Sequence, residues 1–185
     1  MLKYRQLEEL FMNEVTKALL TRRSCRNFKA DCVEKEKIDT IIEAGMYAAS
    51  GMNRQPWLIL AITNKEVRDQ LQKMNAKIMG KDESVDPFYG APVVLVVLAD
   101  KAAPTYVYDG ALMMGNLMLE AHNQGLASCW IHRAKEEFYS EAGKALLAKY
   151  GIEGDYEGIG HCVIGYPATE LNAPVPRKGK VVYID

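Results

Sequence analysis

The sequence has no apolar run long enough to cross a bilayer. Its longest, APVVLVVLA from Ala91 to Ala99, holds nine residues, against the roughly 20 that a membrane-spanning helix needs. It has no excess of one charge either: 23 Lys and Arg stand against 24 Asp and Glu, a formal charge of −1. A protein that binds nucleic acid by neutralising phosphates is usually basic overall. Neither a membrane nor nucleic acid is therefore expected as a partner. Cys25, Cys32, Cys129 and Cys162 form no C-x-x-C pair. Taken with His122, His132 and His161 they offer no spacing typical of zinc, so reduced thiols and no metal are expected. A complete G-x-G-x-x-G is missing as well. The stretch Gly158-Ile159-Gly160-His161-Cys162-Val163 lacks the last glycine and leads into a strand, which argues against a Rossmann dinucleotide site. Repeats, low-complexity linkers and the apolar core of a signal peptide are absent too. A single cytoplasmic domain spanning residues 1–185 is expected.

What is present is an ordinary globular composition, 49% apolar and 25% charged, with apolar periodicities that switch between helix and strand. Leu7, Leu10, Phe11, Val15, Ala18 and Leu19 predict a first helix to about Leu20. Val33 to Ala49 and Lys65 to Met79 read as helices with one apolar stripe each. Trp57 to Thr63, Val93 to Ala99, Ala127 to Ile131 and Gly160 to Tyr166 read as strands, the first two nearly all apolar and so buried. Asp82 to Pro92 reads as a mobile polar loop. Tyr108 to Gln124, closed by Gly125, is apolar nearly all round, as a helix at the centre of a fold or a dimer would be. Lys135 to Tyr150 reads as one helix and Lys180 to Ile184 as an extended tail. This mixed order predicts an α+β sandwich.

Two stretches carry chemistry. The first is TRRSCRNF, Thr21 to Phe28, which concentrates Arg22, Arg23, Ser24 and Arg26 in a nearly neutral chain. In a helix or turn, Arg22 and Arg26 are i,i+4 neighbours, and their guanidinium forks match phosphate oxygens. The same residues would equally serve as a solvated face or as cations at a helix C-terminus. The second is AASGMNRQPW, Ala48 to Trp57. Its Ser50, Asn53 and Gln55 lie in a loop stiffened by Pro56; the Asn53 and Gln55 amides can read a heterocycle edge, or the three side chains can satisfy their own backbone.

Together these stretches resemble the nitroreductase family of flavoenzymes, whose opening pattern is R-R-S-x-R-x-F followed by P-S-x-x-N-x-Q-P-W. APVVLVV, QGLASCWIHR, GIGHCVIGYP and PRKGK are similar to later family segments, in order, from about Ala18 to Lys180. Ala49 stands where the family often has proline, and Cys25 where it often has a β-branched residue. His132 and Arg133 replace an acidic-glycine pair of the larger members, which aligns the chain with the compact subgroup.

The resemblance implies a three-layer sandwich, a mostly antiparallel sheet between helices, in an intertwined homodimer with FMN at its interface. It implies that Arg22, Arg23, Ser24 and Arg26 hold the phosphate and ribityl chain, joined by Arg177 or Lys178. Ser50, Asn53 and Gln55 would approach from the partner subunit. Trp130, Ile131, His132 and Arg133 would lie beside the isoalloxazine, with a backbone N–H near N5. The implied reaction moves a hydride from NADH or NADPH through flavin N5 to a nitroaromatic or quinone, in ping-pong order and with no dedicated protein acid. Two rivals stand beside it: a phosphate- or flavin-binding module without redox chemistry, and a dehalogenase or dehydrogenase on the same scaffold. His122 reads as a satisfied core histidine.

Overall fold

The computed structural model describes residues 13–185. Leu7, Leu10 and Phe11 of the first predicted helix lie outside the described residues. Helix α1, Glu14–Thr21, opens on Asn13, whose side chain accepts the Thr16 N–H at 2.9 Å. That bond satisfies one donor that a helix start leaves over. Asn13 itself has extended backbone, so the helical stripe does not run unbroken through it.

The elements that follow are α2 (Lys35–Met46), a 3₁₀ turn (Gly51–Asn53), β1 (Trp57–Ile62), α3 (Lys65–Ile78) and β2 (Val93–Asp100). Then come α4 (Tyr106–Asn123), β3 (Ala127–Ile131), α5 (Ala134–Tyr139), α6 (Glu141–Lys149) and β4 (Tyr156–Gly165). The four strands form one antiparallel sheet in the order β1-β2-β4-β3.

The sheet is buried on both faces, and β2 shows why its sequence is apolar without alternation. Val94, Val96 and Leu98 pack with Leu71, Phe88, Phe138 and Leu146. Val93, Leu95, Val97 and Ala99 pack on the other side with Ile38, Ile41, Met113 and Leu117. Helices α3, α5 and α6 thus cover one face and α2 and α4 the other, which makes three layers.

Four expectations are corrected. The predicted helix over Lys135 to Tyr150 is two helices, broken at Ser140, whose backbone is extended and whose hydroxyl caps α6 by accepting the Gly143 N–H at 3.1 Å. Helix α4 is not buried all round: Met113, Met114 and Leu117 are buried, whereas Val107, Tyr108 and Leu112 are exposed. Strand β4 starts at Tyr156, four residues earlier than expected. The polar loop before β2 is tied down, because Asp86 accepts from the Arg68 guanidinium and from the Phe88 and Gly90 N–H groups. The stretch from 180 to 184 is exposed and takes no regular structure. Among the described residues, no helix is long and apolar enough to cross a membrane, and no group of three ligands could hold a metal.

Candidate functional site

Helix α1 ends at Arg22, whose N–H still reaches Ala18 O. Arg23 then folds back, its Nη1 donating to the Leu20 and Arg22 carbonyls at 2.7 Å each. One of the three clustered arginines therefore does cap the helix, as cations at a C-terminus can. Beyond Arg22 the chain leaves the helix, so the i,i+4 relation of Arg22 to Arg26 does not exist. Convergence comes instead from the edge of β3. Ser24 bridges Ser128 in parallel, and the Cys25 N–H donates to Ser128 O at 2.9 Å. This lays the arginine turn beside the strand that carries Cys129 and Trp130.

Three polar atoms there are buried without a hydrogen-bond partner among the described residues: Arg22 Nη1, Arg23 Nε and Ser128 Oγ. Each such atom costs about 1–3 kcal/mol, and native structures leave few of them. Two guanidinium donors in the turn and a hydroxyl on the adjoining strand fit a ligand rich in anionic oxygens. His122 joins this turn: its Nε2 lies 2.9 Å from the Thr21 hydroxyl. Burial holds its pKa below the usual imidazole value, and the Arg22 and Arg23 charges push the same way. It is half-buried, and so is no core histidine.

A cavity of about 200 Å³ opens alongside, lined by Arg26, Tyr89, Cys129, Trp130, His132 and Arg133 among others. The Cys129 thiol is pushed up by burial, with Arg26 opposing, so it is no ready nucleophile. Arg133 takes a left-handed backbone, φ 79°, uncommon for a residue with a side chain. A hollow of about 280 Å³ between β1 and α6, lined by Leu60, Val67, Leu146 and Tyr150, presents no converging charges.

The amide-bearing loop is strained. Met52, Asn53 and Gln55 all have φ near +50°, at 55°, 54° and 49°, each costing about 1–3 kcal/mol. Three side-chain bonds hold it. The Gln55 N–H donates to Ser50 Oγ at 3.1 Å, and Gln55 Nε2 donates to Asn53 Oδ1 at 2.9 Å. The third anchor is Asp109, 3% exposed, which accepts from the Gly51 N–H at 3.0 Å and the Thr105 hydroxyl at 2.8 Å. Sequence reasoning missed Asp109. Its one trace was an acid in the first turn of a largely apolar helix.

Asp109 and His122 mark opposite ends of α4. At about 1.5 Å per residue they stand roughly 20 Å apart. Within one chain, then, the structure brings Arg22, Arg23, Ser24 and Arg26 together with Trp130, Ile131, His132 and Arg133. It leaves Ser50, Asn53 and Gln55 at the far end of α4. Arg177 and Lys178 are exposed in the terminal segment and make no hydrogen bond or ion pair with the arginine turn among the described residues.

A family model described as the nitroreductase family matches residues 19–166. An Archaeoglobus fulgidus protein with the provisional name NADH dehydrogenase/NAD(P)H nitroreductase is 30% identical over 165 residues, covering 86% of this chain and 88% of its own length. A Methanothermobacter thermautotrophicus protein of the same provisional name is 30% identical over 122 residues, 63% of this chain and only 60% of that relative. Among solved structures, a nitroreductase with bound FMN from Desulfitobacterium hafniense superposes with a TM-score of 0.84 at 27% identity, covering 95% of this chain and 100% of that one.

Proposed function

The chain belongs to the nitroreductase family, and from that premise we propose that it is an FMN-dependent oxidoreductase. In this reading it draws electrons from NADH or NADPH and delivers them to an electron-poor small molecule. The observation that carries the reading is the set of unpartnered donors at Arg22, Arg23 and Ser128, set beside a cavity lined by Trp130 to Arg133. When bound, FMN supplies the two-electron chemistry, accepting a hydride from the nicotinamide and passing it to a nitroaromatic or quinone.

The chain's own residues bind and orient. Arg22, Arg23, Ser24 and Arg26 hold the phosphate, about −2 in charge, and the ribityl chain. Arg177 or Lys178 can add a cation to the same group from the terminal segment. Trp130 to Arg133 line the space for the ring. Ser50, Asn53 and Gln55 act from a second subunit. The length of α4 supports this, since a pair of chains with antiparallel α4 helices would set the loop of one against the arginine turn of the other. The exposed apolar residues Tyr108 and Leu112 on α4, and Leu19 and Leu20 on α1, offer the surface for that pairing. His132 is exposed, so solvent can supply protons without a dedicated acid. The whole chain is read as one cytoplasmic domain.

Purified protein is expected to be yellow and to bleach with NADH or NADPH under argon. Replacing Arg22 and Arg26 together by alanine should release FMN and leave the far-ultraviolet circular dichroism unchanged. Protein that stays colourless in excess FMN would overturn the reading. Protein that binds FMN without being reduced by either nicotinamide would leave binding but no oxidoreductase.

A further inference from the structure

Behind the turn that joins β3 to α5 lies a fully buried polar trio. Asn75 of α3, Glu137 of α5 and His161 of β4 are each 0% exposed. Glu137 Oε2 faces His161 Nε2 at 2.9 Å, and Glu137 Oε1 accepts from Asn75 Nδ2. The outer atoms of the trio all reach the turn. His161 Nδ1 lies 3.3 Å from Ile131 O, Asn75 Nδ2 donates to His132 O at 3.0 Å, and Asn75 Oδ1 accepts from Arg133 Nε at 2.9 Å. Phe88 backs the imidazole, the ring centres 5.2 Å apart.

The donors and acceptors close without remainder. Arg133 Nε can only donate, so the Asn75 oxygen must face it, and the Asn75 NH₂ then meets two acceptors. His161 Nδ1 faces a carbonyl and so carries a proton. Nε2 and Glu137 Oε2 share the remaining hydrogen bond of the trio. Buried ionisable pairs rarely add stability over apolar residues of the same volume. What this trio adds over an apolar core is direction, because every outward bond falls on residues 131 to 133.

A trans peptide is planar, so each carbonyl points opposite to the N–H of the same unit. Holding Ile131 O and His132 O from the buried side turns the His132 and Arg133 N–H groups the other way. Among the described residues neither N–H donates to a backbone or side-chain acceptor. Ile131, His132 and Arg133 line the 200 Å³ cavity, and Asn75, Glu137 and His161 do not. We infer that the Asn75–Glu137–His161 trio is a positioning device: it grips two carbonyls from behind and aims two consecutive backbone N–H donors into the cavity, at the ring of the ligand bound there. The left-handed backbone of Arg133 is part of the same construction. This inference rests on the FMN reading above, and assigns the three residues no contact with the flavin.

The test compares three variants of the full-length protein loaded with FMN. Glu137→Gln keeps every bond, its oxygen accepting from Asn75 and its NH₂ donating to His161, and should leave the visible spectrum and midpoint potential of the bound flavin as in wild type. Asn75→Leu removes the donor to His132 O, and Glu137→Met removes the carboxylate that holds Asn75 and His161 against the two carbonyls. Both should displace the potential and the absorption bands in the same direction, with FMN affinity lowered by no more than about thirtyfold, the worth of two ring hydrogen bonds. In wild type, FMN should also shift the His132 and Arg133 amide resonances. Unmoved amide resonances would overturn the inference, as would a Glu137→Gln variant displaced as far as Glu137→Met. Folded Glu137→Met and Asn75→Leu proteins with wild-type flavin spectra and potentials would overturn it also. Should those two variants fail to fold, the Glu137→Gln and amide measurements decide. Wild-type protein that takes up no FMN removes the functional reading itself, and this inference with it.

Discussion

His122 shows how much one residue can report. Its pKa is depressed by burial and then by Arg22 and Arg23, so the folded chain keeps it neutral where the unfolded chain would bind a proton. The stability it permits is present above the unfolded value, near pH 6.5. It is lost as pH falls from there through the folded value, because the unfolded state then holds more protons. Denaturant midpoints are expected to drop over that window, and to drop less in His122→Gln. A dianion between Arg22 and Arg23 would cancel their push, so the His122 pKa followed by proton NMR should rise when FMN saturates the protein. No rise would mean that the anion sits elsewhere. Asp109 is the second informative residue. Asp109→Ala leaves the Gly51 N–H unpaired and should cost about 1–3 kcal/mol in urea unfolding. It should also weaken FMN uptake, although Asp109 lies at the other end of α4 from the arginines.

At the level of elements, the break between α5 and α6 is the instructive case. Apolar residues continue at helical spacing across it, with Phe138 and Leu146 both in one core, so periodicity alone reads a single helix. What ends α5 is contact. Ser140 turns its hydroxyl onto Glu137 O at 2.6 Å and accepts from Gly143. Gly143 then packs so closely that a Cβ there would run into the Glu137 carbonyl and the Phe138 backbone. Gly143→Ala is therefore expected to lower stability by about 1–3 kcal/mol, the usual range for overpacking against atoms that cannot swing away. Thermal melting would check it. Ser140→Ala should cost about 1 kcal/mol as a lost cap. In both cases the disturbance reaches Glu137, and through it the turn at Arg133.

For the whole molecule, the arrangement of α4 makes a claim about assembly. Its inner face is core, while Tyr108 is 73% and Leu112 53% exposed. Sedimentation is expected to find a dimer, and Leu112→Glu to weaken it by placing a charge in an apolar contact. FMN affinity should fall with dimerisation in that variant, since one chain holds the arginine turn and the cavity while the amide loop stands roughly 20 Å away along α4. A Leu112→Glu monomer that binds FMN as tightly as wild type would show that each chain builds its site alone.

The buried strand at Val93 to Ala99 and the central helix were legible in the sequence, and the two candidate stretches stood out there, because each is a local pattern. Clustered arginines, a proline-stiffened amide loop and the period of apolar residues need no knowledge of distant contacts. Tertiary structure alone decided the rest. It set Ser24 beside Ser128, gave Asp109 to Gly51, and closed Asn75, Glu137 and His161 into one trio. Each of these joins residues remote in the chain, and the partner of a polar side chain is chosen by which elements packing brings within hydrogen-bond reach, a choice that no local spacing encodes.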